Sequence, residues 1–324
     1  MREAWAADIE GRAARFWTPE RTRGLLGDKH LVLPPASHGP LLRAMGLLKA
    51  DASMGPESVR KYMQISHMLT LIEPQLRDLA AVHEEVRVLD LACGNSYLTL
   101  LLATSIRKRL AHAGKILGVD RNVRLIEACR ERAWRLFLDD ILRFEANLIG
   151  ELDVPAVWRM AFGTNPGDPP VHLLVALHAC DTATDDALAL GLTLNVEAMA
   201  VVPCCQAELA RWWAQKSAAP CPAPLSPVWR WPHLRREAAA TMTDALRALL
   251  LQGCGYRTVP VEFVPSEHTP KNTMIRATRV DEGSPDAFTE YLALRRSLGD
   301  PRLHLERAMP PHHRAHLRAA ECLA

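Results

Sequence analysis

Arg87-Val-Leu-Asp-Leu-Ala-Cys-Gly-Asn-Ser96 is the stretch that decides the fold. Its apolar residues read as a buried strand running into a tight turn, and the small residues after Gly94 open a helix. An acid near the strand's end, Asp90, is followed by a glycine where backbone must come close to something. Together they mark the mouth of a nucleotide-type cofactor site. One strand and one glycine turn are a weak signal, so the following segments must supply the rest at the right spacing.

From Val86 onward, strand and helix patterns alternate, which is the signature of a parallel sheet covered by helices on both faces. After a helix over about Tyr97–Ala111, Lys115-Ile-Leu-Gly-Val-Asp120 reads as a short buried strand closing on an acid, about twenty-six residues beyond Gly94. That spacing suits the carboxylate that grips a ribose in dinucleotide folds, because a carboxylate accepts two hydrogen bonds from a vicinal diol. Asp120 also suits the N-terminus of the helix beginning near Asn122, and both roles can hold together. The helix Val123–Leu138 leads to a third strand, Leu142–Leu148, with Asn147 near its end. Val171–His178 is the fourth strand, and Ala179–Asp186 is a polar mouth that starts a helix. The fifth strand, Ala198–Val202, ends in Pro203-Cys-Cys-Gln206. Tyr256–Val264 and Asn272–Val280, joined by Pro265–Lys271, complete seven. The strands empty into polar or glycine-bearing segments, and in an open α/β sheet such carboxyl-end loops line the ligand crevice.

Three regions follow: an N-terminal helical accessory region over 1–84, the α/β domain over 85–281 and a helical tail over 282–324. In the first, amphipathic pieces lie around Ala4–Trp17 and Leu41–Lys49. The helix Glu57–Ile72 places Val59, Met63, Leu69 and Ile72 on one stripe and Arg60, Lys61 and Gln64 nearer another, which reads as a solvated face ahead of a substrate or cofactor contact. The tail has a helical pattern to Leu298 and then a polar, His-rich end.

At 324 residues and 48% hydrophobic, the chain buries the core of one full domain plus appended elements. A formal charge of +2 and a pI of about 8.2 leave partner identity to local patches. Eight cysteines without a CxxC pair fit a reduced, cytoplasmic setting. Met1–Glu10 carries acids and no apolar run of export length, and no later segment approaches a membrane span, so the reading is a soluble, unexported protein.

Seven strands in this alternation, with Asp90-Leu-Ala-Cys-Gly-Asn95 after the first and Asp120 after the second, resemble a class I S-adenosylmethionine-dependent methyltransferase with a Rossmann-like fold. Leu177-His-Ala-Cys-Asp-Thr-Ala-Thr-Asp185, Val202-Pro-Cys-Cys-Gln206 and Thr269–Ala277 are similar to a narrower group. That group holds the methyltransferase domain of the glutathione S-transferase C-terminal domain-containing protein. The segments also resemble tRNA methyltransferases acting on an acceptor-stem 2′-hydroxyl. Those tRNA enzymes have glycine where this chain has Asp181 and histidine where it has Gln206, and their zinc modules are not visible here. The resemblance implies that Asp90, Ala92, Gly94 and Asn95 surround the methionine part of the cofactor, Asp120 holds the ribose and Asn147 lies beside the adenine. A sulfonium needs no phosphate cradle, in keeping with the missing GxGxxG, and that absence disfavours a nicotinamide-dependent oxidoreductase.

Methyl transfer is an in-line displacement that mainly requires aligning a nucleophile with the methyl group. His178, at a strand's carboxyl end beside the cofactor, suits a general base, and a hydrogen-bonded structural histidine is the alternative. Asp181 and Asp185 can assist, or cap the helix beginning around Thr184. Cys204 and Cys205 admit three readings: zinc ligands with His178 and Cys180, a nucleophile as in ring-carbon methylation, or pocket-shaping thiols. Adjacent residues on an extended segment point to opposite sides, so the third is favoured and no metal is expected. Trp229, Arg230 and Trp231, with Arg235 and Arg236 behind them, combine stacking surfaces with phosphate-seeking cations. Gln206, Lys271 and Asn272 add polar contacts. RNA is therefore the leading substrate class, ahead of a protein side chain or small molecule, with a catalytically inactive cofactor-binding fold as the rival.

Overall fold

The computed structural model describes residues 1–27, 31–163, 171–177, 179, 181–203, 206–216, 225–263, 273–280 and 283–323. It divides into two compact units, Met1–Pro170 and Val171–Ala324. The fold class is the one expected: seven strands, mostly parallel, alternating with helices in a Rossmann-like arrangement, with further helices at both chain ends.

The first unit opens with α1 (Arg2–Phe16), α2 (Pro19–Leu26), α3 (Gly39–Ala44) and α4 (Pro56–Val82). Thr18 caps α2 through its side chain, and Pro19 sits in the first turn, where a missing N–H costs nothing. α4 runs 27 residues and carries Pro74 inside it. Its buried face is Tyr62, Ile65, Met68, Leu69, Ile72, Leu76 and Leu79, which replaces the stripe expected through Val59 and Met63. Three parallel strands follow, in the order β3-β2-β1: β1 (Glu85–Leu91), β2 (Ala113–Asp120) and β3 (Leu142–Ala146). Between them lie α5 (Tyr97–Thr104) and α6 (Val123–Arg135), and α7 (Val154–Phe162) follows. α5 stops short of the expected Ala111 because the chain widens into a π-helical turn over Ser105–Arg109. Gly118 of β2 is a packing glycine. A Cβ there would stand 2.6 Å from the Phe144 ring and 3.3 Å from Cys93 Sγ.

In the second unit, β4 (Leu173–Leu177), α8 (Thr182–Thr193), β5 (Ala198–Val202) and α9 (Ala207–Lys216) continue the alternation. Next come α10 (Ser226–Arg230), α11 (Pro232–Gly253), β6 (Tyr256–Glu262) and β7 (Thr273–Arg279). β4 and β5 are parallel, whereas β7 runs antiparallel to both β5 and β6, in the order β4-β5-β7-β6. α12 (Pro285–Ser297), α13 (His304–Ala308) and α14 (Pro311–Leu323) close the chain. The His-rich end is therefore helical. Arg295, buried on α12, pairs with Asp300, Glu306 and Glu321, and Tyr291 Oη donates to Glu306 at 2.6 Å. Among the described residues, no helix is long and apolar enough to cross a membrane.

Candidate functional site

The first unit builds its site at the carboxyl end of β1. Ala92, Gly94 and Ser96 all have left-handed backbone, with φ of 55°, 52° and 58°. Two of these carry side chains, so the turn holds strain of the kind that collects at ligand sites. It is pinned from three directions. Cys93 N–H donates to Val119 O of β2 at 3.0 Å, Ser96 N–H donates to Cys93 O at 2.8 Å, and Gly94 N–H donates to Asp120 Oδ2 at 2.9 Å. A Cβ on Gly94 would meet only Ala92 O, 3.9 Å away, so the glycine faces open space. Arg132 of α6 donates to Asn95 O at 3.1 Å.

Asp90 is 1% exposed and paired in register with Gly118. Its Oδ2 accepts from Thr99 Oγ1 at 2.6 Å, whereas Oδ1 has no partner among the described residues. Burial pushes its carboxyl up to about 7, with Cys129 and Asp120 adding to the push and the Thr99 hydroxyl opposing it. Asp120 has a different environment: besides Gly94 N–H, its Oδ1 accepts from Asn122 N–H at 2.9 Å. Asn122 in turn caps α6. Asp120 thus organises the helix entrance without being its cap, and a carboxylate still has acceptor positions to offer. Asn147 lies just past β3. Its N–H donates to Asp120 O at 3.1 Å, and its Oδ1 accepts from Leu148 N at 2.8 Å, which fixes the 48%-exposed Leu148.

These residues fit the cofactor that the resemblance implies. Asp120 has the acceptors for a ribose diol, Asn147 and exposed Leu148 offer an amide and an apolar wall for a base, and the orphaned Asp90 Oδ1 calls for a donor or cation. Sequence reasoning missed Thr99, Cys129 and Leu148. Lys61, named from the sequence, has its Nζ 4.1 Å from the Tyr97 ring centroid at the start of α5. For Thr99 the available signal was helical phase relative to the turn.

The second unit corrects several expectations. Asp181 is neither a free acid nor a side-chain cap of its own helix. Its Oδ1 accepts from Ala207 N and Glu208 N at 2.9 and 3.0 Å, and Oδ2 accepts from Arg211 at 2.6 Å, so it caps α9 and is spent there. Asp185, 1% exposed, accepts from Arg247 Nε at 2.8 Å. Arg247, equally buried, also reaches Asp244 Oδ1 and Asp181 O, both at 3.1 Å. Burial pushes Asp185 and Asp244 up against the pull of that guanidinium. Gln206 is only 7% exposed and donates to Asp244 Oδ2 at 3.0 Å, which makes it a core partner instead of a substrate contact.

Trp229 and Arg230 lie on α10, Arg235 and Arg236 on α11, and Trp231 is an extended residue between the two helices. Trp229, 2% exposed, stacks on Trp213 with centroids 5.6 Å apart and meets Trp212 edge-on at 6.3 Å, so it offers no surface for stacking a base. Trp231 is 59% exposed, and Arg230, His233 and Arg236 are exposed beside it in sequence. His178, Cys180, Cys204, Cys205, Lys271 and Asn272 lie outside the described residues.

A family model described as a methyltransferase domain matches residues 60–212. No curated protein matches the chain. Among solved structures, the SAH-bound Podospora anserina methyltransferase PaMTH1 is 12% identical, over 81% of this chain and 94% of that one, with a TM-score of 0.46. Magnesium protoporphyrin IX methyltransferase from Synechocystis PCC 6803 with bound SAH is 12% identical, over 74% and 92% of the two chains, with a TM-score of 0.40. The strained turn, Asp120, Asn147 and Asp181 all fall within residues 60–212, the stretch that matches a methyltransferase domain.

Proposed function

We propose that the protein is an enzyme that transfers a methyl group from S-adenosylmethionine to RNA. One observation carries the cofactor: a buried acid with an unpartnered oxygen, Asp90, ends the strand that leads into an open-faced, strained glycine turn held by a second acid, Asp120. The bound cofactor supplies an electrophilic methyl group on a sulfonium. Asp120 would take the ribose hydroxyls, Asn147 and Leu148 the adenine, and Asp90 with Ala92, Gly94 and Asn95 the cationic methionine end. A cation next to Asp90 favours its ionised form, so the cost of burying that carboxyl is partly released on binding. In this reading the chain's main work is alignment and exclusion of water. His178 stands as the proposed base, and Cys204 and Cys205 as thiols shaping the acceptor side.

RNA is favoured by Trp231, an exposed indole flanked in sequence by exposed Arg230 and Arg236, since stacking plus phosphate contact suits unpaired nucleotides. Within RNA, an acceptor-stem 2′-hydroxyl draws less support, because Asp181 and Gln206, where this chain departs from those enzymes, are engaged in internal hydrogen bonds. The eight cysteines without a CxxC pair fit a reducing compartment such as the cytoplasm.

The test is calorimetry with S-adenosylhomocysteine, followed by transfer of labelled methyl to RNA and protein fractions, with Asp120→Ala as control. Binding of a nicotinamide dinucleotide alone would overturn the cofactor reading. Cofactor binding with no transfer to any fraction would favour the inactive fold, and labelled product that survives nuclease would remove RNA.

A further inference from the structure

The strained turn opens onto the start of α5, and that helix end has opposite charges on two of its sides. Ser96 stands at the cap position with left-handed backbone, its side chain makes no capping bond, and the first turn holds no acid of its own. The N–H groups there form the positive end of the helix. Thr99, in that turn, donates to Asp90, whose other oxygen is buried and has no partner among the described residues. Tyr97, the first residue of α5, meets Lys61 of α4, with Nζ 4.1 Å from the ring centroid. Residues two apart on a helix are about 200° apart around its axis, so the acid and the base approach from different sides. Lys61 is exposed and has no ion pair among the described residues. A ring face holds an ammonium in place without neutralising it. The next residue, Tyr62, is fully buried and donates from Oη to Leu33 O at 2.9 Å, which anchors the helical turn that carries Lys61. Two cations of α6 are already engaged: Arg132 donates to Asn95 O and Arg130 to Phe144 O.

We propose that Lys61 takes the carboxylate of the cofactor's methionine end while Asp90 takes its ammonium, so that the two residues together recognise the amino-acid head as a zwitterion. The proposal rests on the cofactor reading above and adds to it the partner of the one anionic group on that ligand. An amino-acid head brings both signs of charge to the turn. With Asp90 as its sole charged partner, the carboxylate would enter beside a buried acid with nothing to offset the repulsion. Lys61 and the N–H groups at the start of α5 supply that offset. The N-terminal helices thereby gain a part in the site, because α4 brings Lys61 to the turn.

Calorimetry on the full chain with two ligands isolates this contact: S-adenosylhomocysteine, and its decarboxylated analogue, in which hydrogen replaces the carboxylate and the amine is kept. The natural protein is expected to bind S-adenosylhomocysteine roughly tenfold more tightly than the analogue, the scale of one hydrogen bond between charged groups. Lys61→Met should lower affinity for S-adenosylhomocysteine roughly tenfold and leave that for the analogue unchanged, which removes the discrimination. Lys61→Arg, which keeps the charge, should keep the discrimination. The ratio of the two affinities is read within each variant, so a smaller folded fraction does not move it. A natural protein that does not discriminate, or a Lys61→Met variant that discriminates as well as the natural protein, overturns the proposal. So does an equal loss of both ligands, which would show Lys61 acting only by packing on Tyr97. In each of these cases S-adenosylhomocysteine still binds the natural protein, and the cofactor reading stands. A natural protein that binds neither compound sinks the cofactor reading and the role of Lys61 with it.

Discussion

Replacing Asp90 with asparagine should flatten part of the protein's pH–stability profile and abolish the pH dependence of cofactor binding. The carboxyl is pushed up to about 7 from an ordinary 3.8 by burial at 1% exposure. Between those values the native state holds a proton that the unfolded chain has lost, so stability falls as pH rises. At about 1.4 kcal/mol per pH unit over about three units, the loss attributable to Asp90 is about 4 kcal/mol, and it levels off above pH 7. Asparagine keeps an oxygen for the Thr99 hydroxyl, but its amide would stand where Oδ1 has no partner, at a cost of about 1–3 kcal/mol. That cost does not vary with pH, so the slope separates the two effects. Urea denaturation of both proteins at pH 5, 6, 7 and 8 gives the difference profile, in which the other titrating groups cancel. The Asp90→Asn variant should gain on the natural protein by about 1.4 kcal/mol per unit up to pH 7 and then run parallel. Profiles parallel throughout would refute the burial argument. Affinity for S-adenosylmethionine should rise through pH 7 in the natural protein and stay flat in the variant.

Asp120→Ala leaves two backbone N–H groups without a charged acceptor, and at about 1.5–3 kcal/mol for such a bond, affinity for S-adenosylhomocysteine should fall at least tenfold by calorimetry. The two tryptophans should behave oppositely. Trp229→Ala, in a stacked core position, should cost about 3–5 kcal/mol by denaturant melts, whereas Trp231→Ala should change stability by less than about 0.5 kcal/mol while weakening RNA binding. Arg247→Ala strands Asp185 and Asp244 and should destabilise by about 3–5 kcal/mol at neutral pH, with the deficit shrinking as acid protonates the two carboxyls. An Arg247→Ala deficit independent of pH would show that the guanidinium acts by packing alone.

The β1–turn–β2 unit was legible because its signals are local: an apolar run, a glycine that needs left-handed backbone, and an acid at the next strand's end. β5 fell on its expected residues for the same reason. What escaped depended on distance along the chain. Asp181 caps a helix twenty-six residues downstream, and Arg247 meets an acid sixty-two residues away. No local rule ranks such a partner above solvent. Cys129 meets the turn from thirty-five residues beyond Gly94. Around the tryptophans, Pro227 and Pro232 both stand in the first turns of helices, where proline is tolerated. Trp229 lies on α10 with its ring in the core, whereas Trp231, extended between α10 and α11, is left to solvent.

Asp90 and Asp120 are the same residue type at the ends of adjacent parallel strands, and what they touch divides their work. Asp120 accepts two backbone N–H groups and by doing so shapes the turn, so its contribution is present before any ligand arrives. Asp90 has one hydroxyl donor, a buried unpartnered oxygen and a carboxyl held near neutrality by desolvation, so its contribution is completed only by what enters. A strand end that needed stability alone would be better served by leucine or asparagine, because the buried carboxyl weakens the fold at neutral pH. Keeping an acid there makes sense for a site whose ligand brings positive charge. A sulfonium and an ammonium on one molecule supply that charge, and a nicotinamide dinucleotide, with its pyrophosphate directed at the same turn, does not. The sign of Asp90's effect on binding across pH 7 therefore separates the two cofactor classes without knowledge of the methyl acceptor: tighter with rising pH for a cation, weaker for an anion.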